Sequence, residues 1–123
     1  MSFDKKIFKS LIDEGSLNQL KQSIENDNIS VDVLNSTSIN EKDDNIFLYA
    51  SRYGKLKVIK YLVDELKMDI NHCNKNGDNA LTLAAFNGHL EVLKYLVESL
   101  NMNVNHCDEY GDNALHLLHV MVI

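Results

Sequence analysis

Residues 44–77 (DNIFLYASRYGKLKVIKYLVDELKMDINHCNKNG) and 78–111 (DNALTLAAFNGHLEVLKYLVESLNMNVNHCDEYG) align without a gap and agree at sixteen of 34 positions. A third copy opens at Asp112 with DNALHLL. A tandem period of this length confines the chain to stacked supersecondary units, because one such unit cannot bury its apolar face alone.

Within a copy the local signals predict helix, turn, helix and an extended loop. Asn79 precedes Ala80–Phe86 and is a strong N-cap, since its side-chain oxygen accepts an orphan helix N–H. Asn45 and Asn113 hold the same place. Gly88 breaks that short helix, as Gly54 does one copy earlier. The spacing of Leu90, Leu93, Leu96 and Val97 predicts a second helix over 90–100. Asn76-Gly77 marks a tight turn between units.

The N-terminal segment is a degenerate copy: Gly15, Leu17, Leu20 and Ile24 superpose on Gly54, Leu56, Ile59 and Val63 at a constant offset of 39. It predicts helices over 5–14 and 17–26, then a long polar loop over 27–43 that takes up the extra residues. Its polarity suits an end cap, whose outer face meets water. The expected units are thus 1–43 (cap plus loop), 44–77, 78–111 and a truncated copy, 112–123.

The segment GDNALTLAAFNGHLEVLKYLV, Gly77–Val97, resembles the ankyrin repeat family pattern G-x-T-P-L-H-x-A-A-x-x-G-H-x-x-V-V-x-L-L, and Met102-Asn103-Val104-Asn105 looks like its A-D-V-N. The resemblance is good over 44–117 and weak over 5–43. In style it looks like the ankyrin arrays of giant viruses and protists. Departures are specific. Asn-Ala replaces the family's Thr-Pro, keeping the cap but giving up the preset φ of Pro. The period is 34 rather than 33. Asn101, and Lys67 one copy earlier, stand where a left-handed glycine would end the second helix.

The resemblance implies an all-α solenoid that binds another protein through turn tips and the exposed ends of the first helices. Carried onto this chain, those positions are Glu41, Lys42, Asp44, Arg52 and Tyr53, then Lys75, Asn76, Asp78, Phe86 and Asn87, then Glu109, Tyr110 and Asp112. Arg52, Tyr53, Phe86 and Tyr110 stand out, because Arg and aromatics dominate interface hot spots. The partner is an unidentified protein, a host protein among the candidates. The alternative is a truncated remnant of a longer array with no partner of its own.

Other function classes are weakly supported. A formal net charge of −6, with one Arg among twelve basic residues, argues against nucleic acid. No apolar run reaches the roughly 18–20 residues that span a bilayer, and the N-terminus has no signal-like apolar core, so the expected location is the cytoplasm. Asn-His-Cys recurs at 71–73 and 105–107, which suggests a Cys2His2 zinc site. Repetition explains it better: equivalent residues of stacked helical repeats lie roughly 8–10 Å apart, and adjacent His and Cys in an extended loop face opposite ways. Neither metal nor cofactor is expected. No nucleophile elbow or phosphate loop occurs, the turn acids Asp43, Asp44, Asp78 and Asp112 suit solvated turns, and His89 and His116 suit structural hydrogen bonds; the expectation is no enzyme. After Leu117 the tail LHVMVI replaces the family's second helix. Helix Ala114–Ile123 would then leave apolar residues uncovered and associate weakly with another copy.

Overall fold

The computed structural model describes residues 4–114. Asp4 caps α1 (Lys5–Glu14) by accepting the Lys6 and Ile7 amides at 3.0 and 3.2 Å. A left-handed Gly15 then turns the chain into α2 (Leu17–Asn26), with Gly15 N–H donating to Ile12 O and Ser16 N–H to Leu11 O. The same turn recurs at Gly54, between α4 (Ile46–Arg52) and α5 (Leu56–Lys60), and at Gly88, between α6 (Ala80–Phe86) and α7 (Leu90–Lys94). Asn45 and Asn79 cap α4 and α6 as expected, accepting the Leu48 and Thr82 amides at 3.0 Å. Thr82 closes a reciprocal box by accepting from Asn79 N–H at 2.9 Å.

First helices stack on first helices, α1 on α4 and α4 on α6, and each second helix packs on its own first helix. Ala50, Ala84 and Ala85 are wholly buried in this stack, while Phe47, Leu48, Leu81, Ile59, Leu62 and Leu96 fill the space between layers. Lysines bridge the second helices. Lys21 lies 5.0 Å from the Tyr61 ring centre and Lys60 5.6 Å from that of Tyr95, whose hydroxyl donates to Asp64 at 2.8 Å. The described residues hold no strand; Cys107 and Asn113 make one antiparallel bridge. None of their helices is long and apolar enough to cross a membrane.

Two expectations need correction. The polar loop over 27–43 contains a helix, α3 (Val31–Ser36). Ser30 caps it by accepting the Val33 amide at 3.2 Å, and Leu34 is fully buried against the stack. Asn35 then ties it down, accepting from Asn45 through its carbonyl and from Asp69 N–H through its side chain. The second helices, expected as plain α over eleven residues, widen instead. After α5 and α7 the chain runs into π-helical turns at Tyr61–Glu65 and Tyr95–Ser99. A π turn holds more residues than an α turn, so it absorbs the one-residue excess of a 34-residue period. Both stretches end in left-handed residues, Lys67 (φ 60°) and Asn101 (φ 55°).

Lysine tolerates that conformation poorly, since its Cβ crowds the carbonyl, at a cost of roughly 1 kcal/mol. Lys67→Gly should therefore raise stability by about 1 kcal/mol in urea denaturation. Asn101→Gly should gain less, because Asn visits this region readily. His116, the Asn113 cap and the apolar helix Ala114–Ile123 with its self-association concern positions whose helix lies outside the described residues.

A candidate protein-binding surface

Three loop tips are built alike from residues spaced by the repeat. Asn40 Oδ1 accepts the amides of Lys42 and Asp44, Asn74 Oδ1 those of Asn76 and Asp78, and Asp108 Oδ1 those of Tyr110 and Asp112, at 2.9–3.1 Å. In the second and third tips the same residue's N–H also donates across the loop mouth, Asn74 to Asp78 O and Asp108 to Asp112 O, while in the first the donor is the preceding residue, Ile39, to Asp44 O. Asp43, Gly77 and Gly111 take the left-handed position. Sequence comparison singled out the turns but not Asn40, Asn74 and Asp108, whose 34-residue spacing was the available signal.

Cross-links hold the tips in a row. The Asp44 carboxylate is fully buried and accepts from Arg52 Nε at 2.7 Å and Nη2 at 3.2 Å, and from the side-chain amides of Asn40 and Asn74 at 2.9 Å. Burial alone would raise the Asp44 pKa. The hydrogen bonds from Arg52, Asn40 and Asn74 and the Arg52 charge outweigh it and hold it below the ordinary value. Glu109 N–H donates to Asn76 O at 2.9 Å, joining the second tip to the third. His106 Nε2 lies 2.8 Å from Gly77 O, and His89 Nε2 lies 2.8 Å from Arg52 O, so each imidazole grips a carbonyl of the preceding repeat. His89 thereby has the structural role expected of it.

The row of tips and the ends of α4 and α6 enclose a groove of about 210 Å³. Of the positions picked from sequence, it brings together Lys42, Arg52, Asn76, Asp78, Phe86, Tyr110 and Asp112. Phe86 (66% exposed) and Tyr110 (75%) stand uncovered. Glu41, Lys75, Asn87 and Glu109 are exposed but do not line it. Asn87 donates its side-chain amide to Leu83 O, closing the helix end. Tyr53 is half exposed and rests on Tyr49, ring centres 4.8 Å apart, away from the groove. Asp44, expected as a solvated turn acid on the surface, is instead the buried anchor beneath it. Arg52 is only 12% exposed because its fork is spent on Asp44.

Leu83 and Asp108 also line the groove and were not foreseen. Asp78 and Asp108 come from successive tips. Burial and the neighbouring Asp108 push the Asp78 pKa up to about 6, against a lowering pull from Thr82 and Arg52. Cys73 Sγ lies 3.6 Å from His106 Nε2, a contact between repeats that same-residue alignment did not anticipate. Both cysteines are free thiols, and burial, with Asp78 and Asp69 nearby, raises the Cys73 pKa. Among the described residues no three His, Cys, Asp or Glu side chains are placed to hold a metal ion.

The sequence matches the family model for "Ankyrin repeats (many copies)" over residues 46–97 and 88–117, together more than half of the chain. Among solved structures it is similar to a chain in the crystal structure of the yeast ribosomal protein Rps3 in complex with its chaperone Yar1. That likeness has a TM-score of 0.78 at 22% identity, and covers 97% of this chain and 87% of that one, which is a likeness of fold. No curated protein matches the sequence. Repeat period, capped short helices, stacked tips and family match agree, and the chain belongs to the ankyrin repeat family.

Proposed function

We propose that this chain is a non-catalytic module that holds a partner protein against the turn tips and the exposed ends of its first helices. The observation that carries this reading is the groove beside Phe86 and Tyr110: two large rings left in water, over a floor made rigid by the Asp44 network. Exposed rings on a rigid support lose little entropy when covered, which is how interface hot spots arise. The fold's occurrence in a chaperone–partner complex supports a binding role. Two free thiols fit a reducing compartment, so the proposed location is the cytoplasm.

The test is affinity capture with immobilised protein from cytosol, followed by titration of whatever is retained. Phe86→Ala and Tyr110→Ala should each weaken binding by about 2 kcal/mol or more, roughly 30-fold in Kd, with unchanged melting. Glu91→Ala, on the exposed side of α7, should leave Kd unaltered. Equal binding by all three variants would move the interface elsewhere. No specific capture by the folded wild type would favour the remnant without a partner.

A further inference from the structure

The groove carries more information than its exposed rings. Three carboxylates line it, from Asp78, Asp108 and Asp112, and the cations on the same wall are Lys42 and Arg52. Arg52 is already matched by Asp44 through two hydrogen bonds, while Lys42 is exposed. We propose that the groove receives a cationic side chain, Arg or Lys, from an extended segment of the partner, seated against Asp78 and Asp108 and beside the rings of Phe86 and Tyr110. This rests on the reading of this face as the binding face, and adds the chemistry of what it binds.

Three observations favour a cation. Asp78 and Asp108 line the groove from successive tips, and burial with the neighbouring Asp108 pushes the Asp78 pKa up to about 6. An arriving positive charge relieves the repulsion between the two carboxylates; a neutral or acidic side chain relieves nothing. The volume of about 210 Å³ falls below the roughly 300–1,000 Å³ of small-molecule pockets, a size for one side chain rather than a cofactor. Exposed rings beside carboxylates suit a cation that is both paired and stacked, and the fold already places Lys21 on Tyr61 and Lys60 on Tyr95 on its other face. Arginine fits better than lysine, because its planar fork can take two carboxylates and lie on a ring at once. The −6 net charge would also speed encounter with a basic segment.

The probes are two synthetic peptides with the same apolar residues, one carrying a central Arg and the other Glu in its place. Binding is followed by fluorescence anisotropy, and the contact surface by amide shifts in 15N-labelled protein. The Arg peptide should bind at least about tenfold more tightly than the Glu peptide, with shifts centred on Asp78, Phe86, Asp108 and Tyr110. Asp78→Asn/Asp108→Asn should weaken the Arg peptide about tenfold or more while melting at the same temperature or higher, since the repulsion is gone. Affinity should fall as pH drops below about 6, where Asp78 is protonated before the peptide arrives. Equal binding of both peptides, no binding of the Arg peptide, or indifference to the double Asn variant would overturn the proposal. If the captured partner then still depends on Phe86 and Tyr110 but not on Asp78 and Asp108, the face binds without a cation, and the inference alone fails. Loss of dependence on all four residues would remove the binding face as well.

Discussion

Replacing Asp44 with Ala is expected to cost about 3–5 kcal/mol, enough to unfold much of the population, because it strands a mostly buried guanidinium. Asp44 is fully buried and takes hydrogen bonds from Arg52, Asn40 and Asn74, so it joins the first tip, the end of α4 and the second tip. Arg52→Lys should not rescue the site, since an ammonium cannot supply the two donors at fixed spacing that meet the two carboxylate oxygens. Removing both partners, in Asp44→Ala/Arg52→Ala, should cost less than the sum of the single losses. The pH dependence has a definite sign. The folded-state pKa of Asp44 lies below its ordinary value of 3.8, so its contribution is fully present above that value and is lost as pH falls through the folded-state pKa. The stability of wild type against urea should therefore fall on the acid side of pH 4, and Asp44→Asn should flatten that limb. A variant with unchanged acid sensitivity would show that another carboxylate governs it.

Gly54→Ala should be nearly as damaging, on the order of 3 kcal/mol, and Gly15→Ala should cost only about 1 kcal/mol. Both glycines have the same left-handed backbone, φ 71° at Gly15 and 72° at Gly54, so strain at an added Cβ is common to both. Their surroundings differ. A Cβ on Gly15 meets nothing within 4 Å, whereas one on Gly54 presses into the His89 imidazole, with Nδ1 closest and Cγ and Cε1 at 2.8 Å. His89 cannot swing aside without giving up its Nε2 hydrogen bond to Arg52 O. The pair thus separates backbone strain from packing. Adding His89→Ala to Gly54→Ala should recover the steric part, so that the double variant is less destabilised than the two single losses together. Thermal melts of the four variants decide this, and equal losses at Gly15 and Gly54 would refute the packing account.

Much of this architecture was legible in the chain as written. The 34-residue period, the Asn caps at 45 and 79, the glycine turns at 15, 54 and 88 and the left-handed ends at Lys67 and Asn101 are local chemistry. They depend on neighbours within about five residues, and a repeat states them more than once. Helix α3 was legible only in part. Ser30 is a good cap and Val31 and Leu34 share a face, but a helix of six residues is not stable alone. What holds α3 is Leu34 buried in the stack and Asn35 tied to Asp69, 34 residues away.

The surface divides the same way. Turn tips and helix ends could be marked from the repeat, and seven of the thirteen marked positions do line one groove. Alignment treats every column alike, so it could not separate Asp44, buried under its only available Arg, from Asp78 and Asp112, which stay at the groove. Nor could it pair Asp78 with Asp108 or Cys73 with His106, because these contacts join different columns of the repeat, within one copy for the aspartates and between neighbouring copies for Cys73 and His106. The sequence by itself determined the unit and its capping, since these follow from short-range hydrogen bonding and apolar periodicity. Only the tertiary structure decided which charges are buried and which face each other, because burial and like-charge proximity are set by the distance between copies, which no single copy encodes.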